Sequence, residues 1–307
     1  DMYMIEAGGS RVLKYSRSFH NVCVFAGLTG ILSVTGADNI PATSSGLRQA
    51  SAVVGDVSGN IYVAEYWGNR IRVIAPNGII TTVAGNINAT CGSLPASFVA
   101  TAYAICGPCG LAFHDARNEL YFVDSAWSLY RLSLSTGMVS AIDTTWYTQL
   151  NTVLNTSTAS GSAPLWLDPR SNNIFVLDTK HSVVVKIDVL ANTGAVIAAG
   201  TLDTSAPIYT LGEQDATNTQ VLRMLSICGD LSGNVYITKQ QENRVLRISR
   251  RTGKLSNYLG LSPGSTTIVS DEFISAASLI NSLATPAACV MDSVGDFYYA
   301  ESHTVYG

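Results

Sequence analysis

The chain of 307 residues is 47% hydrophobic, enough to bury a large core, yet only 13% of it is charged, where about a quarter is usual. Its formal net charge of −4, with no cluster of Lys and Arg anywhere, excludes a nucleic-acid footprint, which needs concentrated positive charge. No apolar run approaches the ~18 residues of a membrane-spanning helix, and a surface so poor in charge must be built from Ser, Thr, Asn, Gly and Ala, as suits a secreted or cell-surface protein.

The first elements in the chain are three short apolar-alternating runs, at 1–6, 10–14 and 22–27. After a long connection, Leu28 to Ala50, comes the clearest unit, Val53 to Gly85. Four strands are expected in it, a (53–55), b (61–64), c (70–74) and d (80–84), joined by turns at 56–60, 67–69 and 76–78. Gly59-Asn60 and Asn77-Gly78 supply residues that tolerate the positive φ of tight hairpins.

Altered copies recur along the whole chain. Aligned on the aromatic residue of strand b they fall at Tyr3, Tyr62, Tyr121, Phe175, Tyr236 and Tyr298, with spacings of 59, 59, 54, 61 and 62 residues. A period of this size dictates the fold. An acid ends strand b as Glu6, Glu65, Asp124, Asp178 and Glu301, with Lys239 breaking the column, and strand c carries Arg11, Arg70, Arg131, Lys186 and Arg247. Because these groups repeat in every copy, they are expected to serve the scaffold: the acids bond turn amides or the strand-c cations, and the aromatic column is core.

The segment GNIYVAEYWGNRIRVIAPNGIITTVAG resembles an NHL repeat, and six copies in register resemble an NHL-type β-propeller. The connections share that family's habit of an Ala-Thr pair followed by a leucine: Pro41-Ala42-Thr43 with Leu47-Arg48, Ala100-Thr101, and Ala216-Thr217 with Leu222-Arg223. The resemblance implies an all-β, six-bladed propeller of four-stranded antiparallel blades in one domain over residues 1–307. Its blades are placed at about 1–27, 50–85, 108–143, 164–200, 224–260 and 286–307. The first lacks strand a and the last is cut short, so the chain reads as a window of a longer protein whose two incomplete blades lie side by side.

In a meander of this kind the connections alternate between the two ends of the sheet. One face of the disc then carries only tight turns, and the other carries every long segment: 28–50, 86–108, 144–164, 201–224 and 261–286. Connections of this length are commonly functional. Both Asn-x-Ser/Thr sequons, at Asn88 and Asn155, fall in these segments and point to N-linked glycans on a secreted chain. Cys91 pairing with Cys106 or with Cys109 would close a loop of about 15 residues, worth roughly 3 kcal/mol. Cys228 and Cys289 lie on inner strands of adjacent blades, where a bridge needs Cα atoms within about 7 Å; free buried thiols are the expectation there. Loop aromatics Phe98, Tyr103, Trp146, Tyr147, Tyr209 and Phe273 are the candidates for an interface with protein partners or further copies of the chain.

Some NHL-like propellers are lyases or lactonase-like enzymes that hold a metal in a central channel. Of the four histidines, His20 borders strand d, His114 sits at an a-to-b turn, and His181 and His303 lie at b-to-c connections. No three converge, so no catalytic residue, metal site or cofactor is assigned; calcium at the acidic column has nothing further to support it. The sequence therefore favours a non-catalytic extracellular interaction or structural module, in a filament or other assembly, over a propeller enzyme, and least of all an intracellular RNA- or protein-binding NHL domain.

Overall fold

The computed structural model describes residues 1–6, 10–28, 36–142, 163–179, 181–190, 195–210, 212–239, 242–260, 286–292, 295–301 and 305–306. The chain divides into two compact units, Asp1–Gln149 and Leu150–Gly307, each carrying three antiparallel sheets among the described residues.

In the first unit β1 (Met2–Ile5), β2 (Arg11–Ser16) and β3 (Asn21–Gly27) form a three-stranded meander. The second sheet holds β4 (Ile40–Pro41), β5 (Ala50–Gly55), β6 (Ile61–Glu65), β7 (Arg70–Ile74) and β8 (Ile79–Gly85), in the order β5-β6-β7-β8-β4. The third repeats it with β9 (Ser97–Val99), β10 (Gly110–His114), β11 (Glu119–Val123), β12 (Leu129–Ser133) and β13 (Met138–Ala141), with β9 on the outside of β13. In the second unit β14 (Leu165–Leu167), β15 (Asn173–Asp178), β16 (Val183–Asp188) and β17 (Ala195–Ala199) form a four-stranded meander. It is followed by β18 (Gln214–Asp215), β19 (Met224–Gly229), β20 (Val235–Lys239), β21 (Arg244–Ile248) and β22 (Lys254–Leu259), with β18 outside β22. The last sheet is β23 (Pro286–Met291), β24 (Phe297–Glu301) and β25 (Val305–Tyr306).

The hairpins are fixed by side chains that repeat with the period. Asp56 accepts from the Asn60 backbone N–H at 2.8 Å, the Asn60 amide at 2.7 Å and the Tyr62 hydroxyl at 3.2 Å. Asp230 holds Asn234 and Tyr236 in the same way, the hydroxyl at 3.0 Å. This is why the strand-b aromatic is most often tyrosine: the ring is buried between sheets while its hydroxyl reaches the turn acid. At the other end of strands c and d, a one-residue bulge recurs after Val12, Ile71, Val184 and Val245. The glycine that follows strand d closes it with positive φ, at +92° in Gly85, where an added Cβ would stand 2.4 Å from Arg70 Cα and Asn69 O. Only glycine fits so close a backbone approach.

Neighbouring sheets within each unit pack face to face. Val12, Ala26, Val63 and Ile74 join the first two sheets, and Tyr62, Ile71, Leu111, Phe122 and Tyr130 the second and third. In the second unit Leu177, Val184, Ile227 and Ile237 form one such layer, and Tyr236, Val245 and Tyr299 another. Cys228 and Cys289 form a disulfide with Cα atoms 5.8 Å apart, tying β19 to β23 across adjacent sheets. The expectation of free thiols at these positions is thus overturned: the strands face each other at the distance a bridge requires.

The long connections also differ from the expectation of loops standing on one face. β4, β9 and β18 run back along the outer strand of the sheet that follows, with Ile40 opposite Ile80, Phe98 opposite Val139 and Gln214 opposite Leu255. The Ala-Thr pairs after them are anchors, with Ala42, Ala100 and Ala216 buried. Gly85 N–H donates to Ala100 O at 2.8 Å, and Gly200 N–H to Ala216 O at 2.9 Å, so each anchor also ties down the end of the preceding sheet. The physical reason is the open edge of strand d, whose unpaired N–H and C=O groups need either a partner or water.

Candidate functional site

The end of each sheet where strand b turns into strand c gathers the repeated polar groups. Glu6 accepts from Arg11, which holds its carboxyl below the usual range despite the cost of desolvation. Glu65 is fully buried and accepts from Arg70 Nε at 3.0 Å and from Arg72 Nη1 at 3.3 Å. Arg72, also fully buried, further donates to Asp38 Oδ1 at 2.8 Å, Ala37 O at 2.6 Å and Ser45 Oγ at 2.9 Å. Burial and the nearby Arg70 lower its pKa, while Glu65 and Asp38 oppose that shift.

Asp124 instead accepts from the backbone N–H groups of Ala126 and Ser128, at 3.0 and 2.9 Å. Burial outweighs these bonds and pushes its pKa up to about 6. Asp178 accepts from the His181 N–H at 3.0 Å and meets the His181 ring at 2.5 Å. In the fifth repeat Lys239 takes the acid's place. It pairs with Glu242 at 2.5 Å, which also faces Arg244 at 3.7 Å. Arg131, Lys186 and Arg247 do not pair with this column, because the register sets them opposite Tyr121, Phe175 and Tyr236, two or more residues from the acids.

Beside the Glu65 cluster, within the first unit, lies an open cleft of about 460 Å³. Arg48, Tyr66, Trp67, Asn69 and Ser125 line it, with the Cys91–Cys106 disulfide along one side. The floor is tightly built: Gly107 N–H donates to Asn69 Oδ1 at 3.1 Å, and Ser125 Oγ donates to Cys106 O at 2.9 Å. The Trp67 side is not covered, and the residue is 54% exposed. Arg48 makes no hydrogen bond or ion pair among the described residues, and its Nε is buried without a partner.

Of the two pairings open to Cys91, the structure has the one with Cys106, Cα atoms 5.4 Å apart, and leaves Cys109 as a buried thiol. Asn88 is exposed. Among the aromatic interface candidates, Phe98 and Tyr209 are only 4% and 3% exposed and belong to the core. Both sit on segments that cover an outer strand, which is what buries them. Tyr103 is 41% exposed and meets Phe98 edge to face. Trp146, Tyr147, Phe273, Asn155 and His303 lie outside the described residues. The sequence reading missed Arg48, Tyr66 and Trp67; the signal was Tyr66-Trp67, two aromatic residues in a turn otherwise made of Gly and Asn. Among the described residues no group of three His, Cys, Asp or Glu side chains could hold a metal ion, and no helix is long and apolar enough to cross a membrane.

No family model and no curated protein matches the chain. Solved structures do. An auxiliary nutrient binding protein from Bacteroides thetaiotaomicron is 10% identical over 97% of this chain with a TM-score of 0.63, and this chain spans 62% of its length. A streptogramin B lyase is 11% identical, with a TM-score of 0.53 over 99% of this chain and 76% of its own. A chain of a nidogen–laminin complex is 11% identical, with a TM-score of 0.54 over 95% of this chain and 82% of its own. At such identities the likeness is one of architecture: the chain has the fold of a β-propeller.

Proposed function

We propose that the chain is an NHL-type propeller domain acting as a non-catalytic binding module outside the cytoplasm, and that the b-to-c end of its sheets carries the binding surface. The described residues form one sheet per repeat, the first and last with three strands each. The observation that carries the binding role is the cleft beside Trp67, where an exposed indole and an unengaged guanidinium stand on a floor locked by hydrogen bonds. The repeated acids Glu6, Glu65, Asp124 and Asp178 each have a structural partner that explains them. Two disulfides favour an oxidising compartment, and the exposed Asn88 sequon is open to a glycan. A nutrient binding protein and a chain of a laminin complex share the architecture, which supports a binding role, and a streptogramin B lyase shares it as well.

The test is the intact mass of the chain isolated from its source, before and after deglycosylation, with thiol alkylation before and after reduction. Four cysteines that alkylate only after reduction, and a glycan on Asn88 or Asn155, are the expected result. Six free thiols and bare asparagines refute the reading.

A further inference from the structure

We propose that the cleft of the first unit binds a saccharide bearing a carboxylate, an inference that rests on the binding-module reading and names its ligand. Four features of the cleft point there. First, Arg48 is a cation without a counter-charge among the described residues. Arg70 and Arg72, a short distance along the chain, are engaged by Glu65, Asp38 and backbone carbonyls, although Arg72, like Arg48, buries Nε unpaired. A carboxylate arriving on the two terminal nitrogens of the Arg48 guanidinium makes two parallel charge-assisted bonds there.

Second, Arg48 is held by its backbone. Leu47 before it is fully buried. Gln49 after it sits at φ +52°, and its carbonyl accepts from Tyr66 N–H at 2.8 Å. Third, Trp67 is presented by a turn with little freedom: a Cβ on Gly68 would stand 2.4 Å from Glu65 Oε2, and Asn69 holds φ +52°. An exposed indole on a rigid turn is a platform for the apolar C–H face of a pyranose ring. Fourth, the remaining polar groups offer both signs of hydrogen bond. Asn69 spends Oδ1 on Gly107 N–H and keeps its amide hydrogens, while Ser125 donates to Cys106 O and keeps its lone pairs. Hydroxyl groups on a flat ring use both.

A free inorganic anion needs more than one cation or a converging set of N–H groups, and it would leave Trp67 without a role. An acidic peptide would use Arg48 but has no need of the paired donor and acceptor beside a flat platform.

The experiment titrates the full chain, by tryptophan fluorescence and calorimetry, with trigalacturonate and sialyllactose. The neutral maltotriose and lactose, and a triglutamate peptide, are the comparisons. At least one acidic saccharide is expected to bind saturably and at least about 10-fold more tightly than its neutral counterpart, a ratio ordinary for one charge-assisted contact. Trp67→Ala should weaken binding at least about 10-fold. Arg48→Gln should bring the acidic and neutral ligands within about 2-fold of each other, with Arg48→Lys between it and the native chain. Unchanged urea midpoints establish that the variants fold. Absence of saturable binding by either acidic saccharide overturns the inference, as does equal affinity for acidic and neutral ligands, binding of triglutamate alone, or variants that bind as the native chain does. A chain that carries its disulfides and glycan but binds no saccharide refutes this inference alone; free thiols and bare asparagines refute the underlying reading whatever the chain binds.

Discussion

Replacing Glu65 by Gln tests whether the buried charge cluster of the second sheet is what holds the b-to-c end together. Glu65 is the fully buried anion facing two buried guanidinium groups, at 3.0 and 3.3 Å, and Asp38, one-third exposed, is the second counter-charge. The native cluster is therefore neutral, with two cations and two carboxylates. Gln is nearly the same size and can still accept one bond, so the variant isolates the charge and leaves one guanidinium uncompensated in a desolvated site. Removing one partner of a buried pair costs about 3–5 kcal/mol, which in a chain of this size lowers the melting midpoint by roughly 5–8 °C. The measurement is thermal and urea unfolding followed by tryptophan fluorescence at two salt concentrations. Because the cluster is out of solvent, added salt should barely change the loss. The control is Lys254→Gln, which removes a partly exposed pair at 3.6 Å to Asp215 and should leave the midpoint nearly unchanged. A Glu65→Gln midpoint indistinguishable from that control would refute the reasoning, since it would mean that the cations relax into solvent at no cost.

Three further outcomes follow from the same geometry. Asp124 titrates near 6 when folded against an ordinary value of 3.8, so folding favours its protonated form. Its contribution is fully present below pH 3.8 and is lost as pH rises through 6, by about 3 kcal/mol. Asp124→Asn keeps an oxygen for the Ala126 and Ser128 amides and should flatten the stability profile between pH 4 and 7 without loss at pH 7.5; an unaltered profile contradicts this. Gly85→Ala must push the backbone away from Arg70 and should cost about 2–4 kcal/mol in urea melts. Gly78→Ala also has positive φ but meets nothing within 4 Å, and should cost about 1 kcal/mol. Phe98→Ala should cost about 3–5 kcal/mol if β9 is core, whereas Tyr103→Ala should cost far less; equal effects would return both residues to the surface.

Much of the scaffold was legible in the sequence because it is encoded locally. Gly59-Asn60 and Asn77-Gly78 fix hairpins by backbone conformation alone, and the Tyr62 and Tyr236 spacing announces the copies. The acid column was also readable as structural, and Glu6 with Arg11 and Glu65 with Arg70 pair as expected. What could not be read depends on contacts between distant segments. β4 and β18 have two residues each and β9 three, too few for an alternating pattern, so Phe98 looked like a loop aromatic. Cys228 and Cys289 are 61 residues apart, and only the facing of two strands in neighbouring sheets decides whether they meet. Arg72 belongs to the Glu65 cluster because a strand side chain two residues beyond Arg70 returns to the same face, a partnership that column alignment on one position hides. The cleft escaped for a related reason, since Arg48, Trp67 and Ser125 come from three separate turns.

The outer covers have a consequence for the order of assembly. β4, β9 and β18 each lie earlier in the chain than the sheet whose edge they close. During synthesis, which runs from the N-terminus, the cover of a sheet leaves the ribosome before the strand it will pair with, and the sheet must then grow outward, hairpin by hairpin, until its last strand reaches the waiting segment. Each of these three sheets is thus sealed at the moment of its completion by chain already made, so that its finished edge does not wait for later sequence.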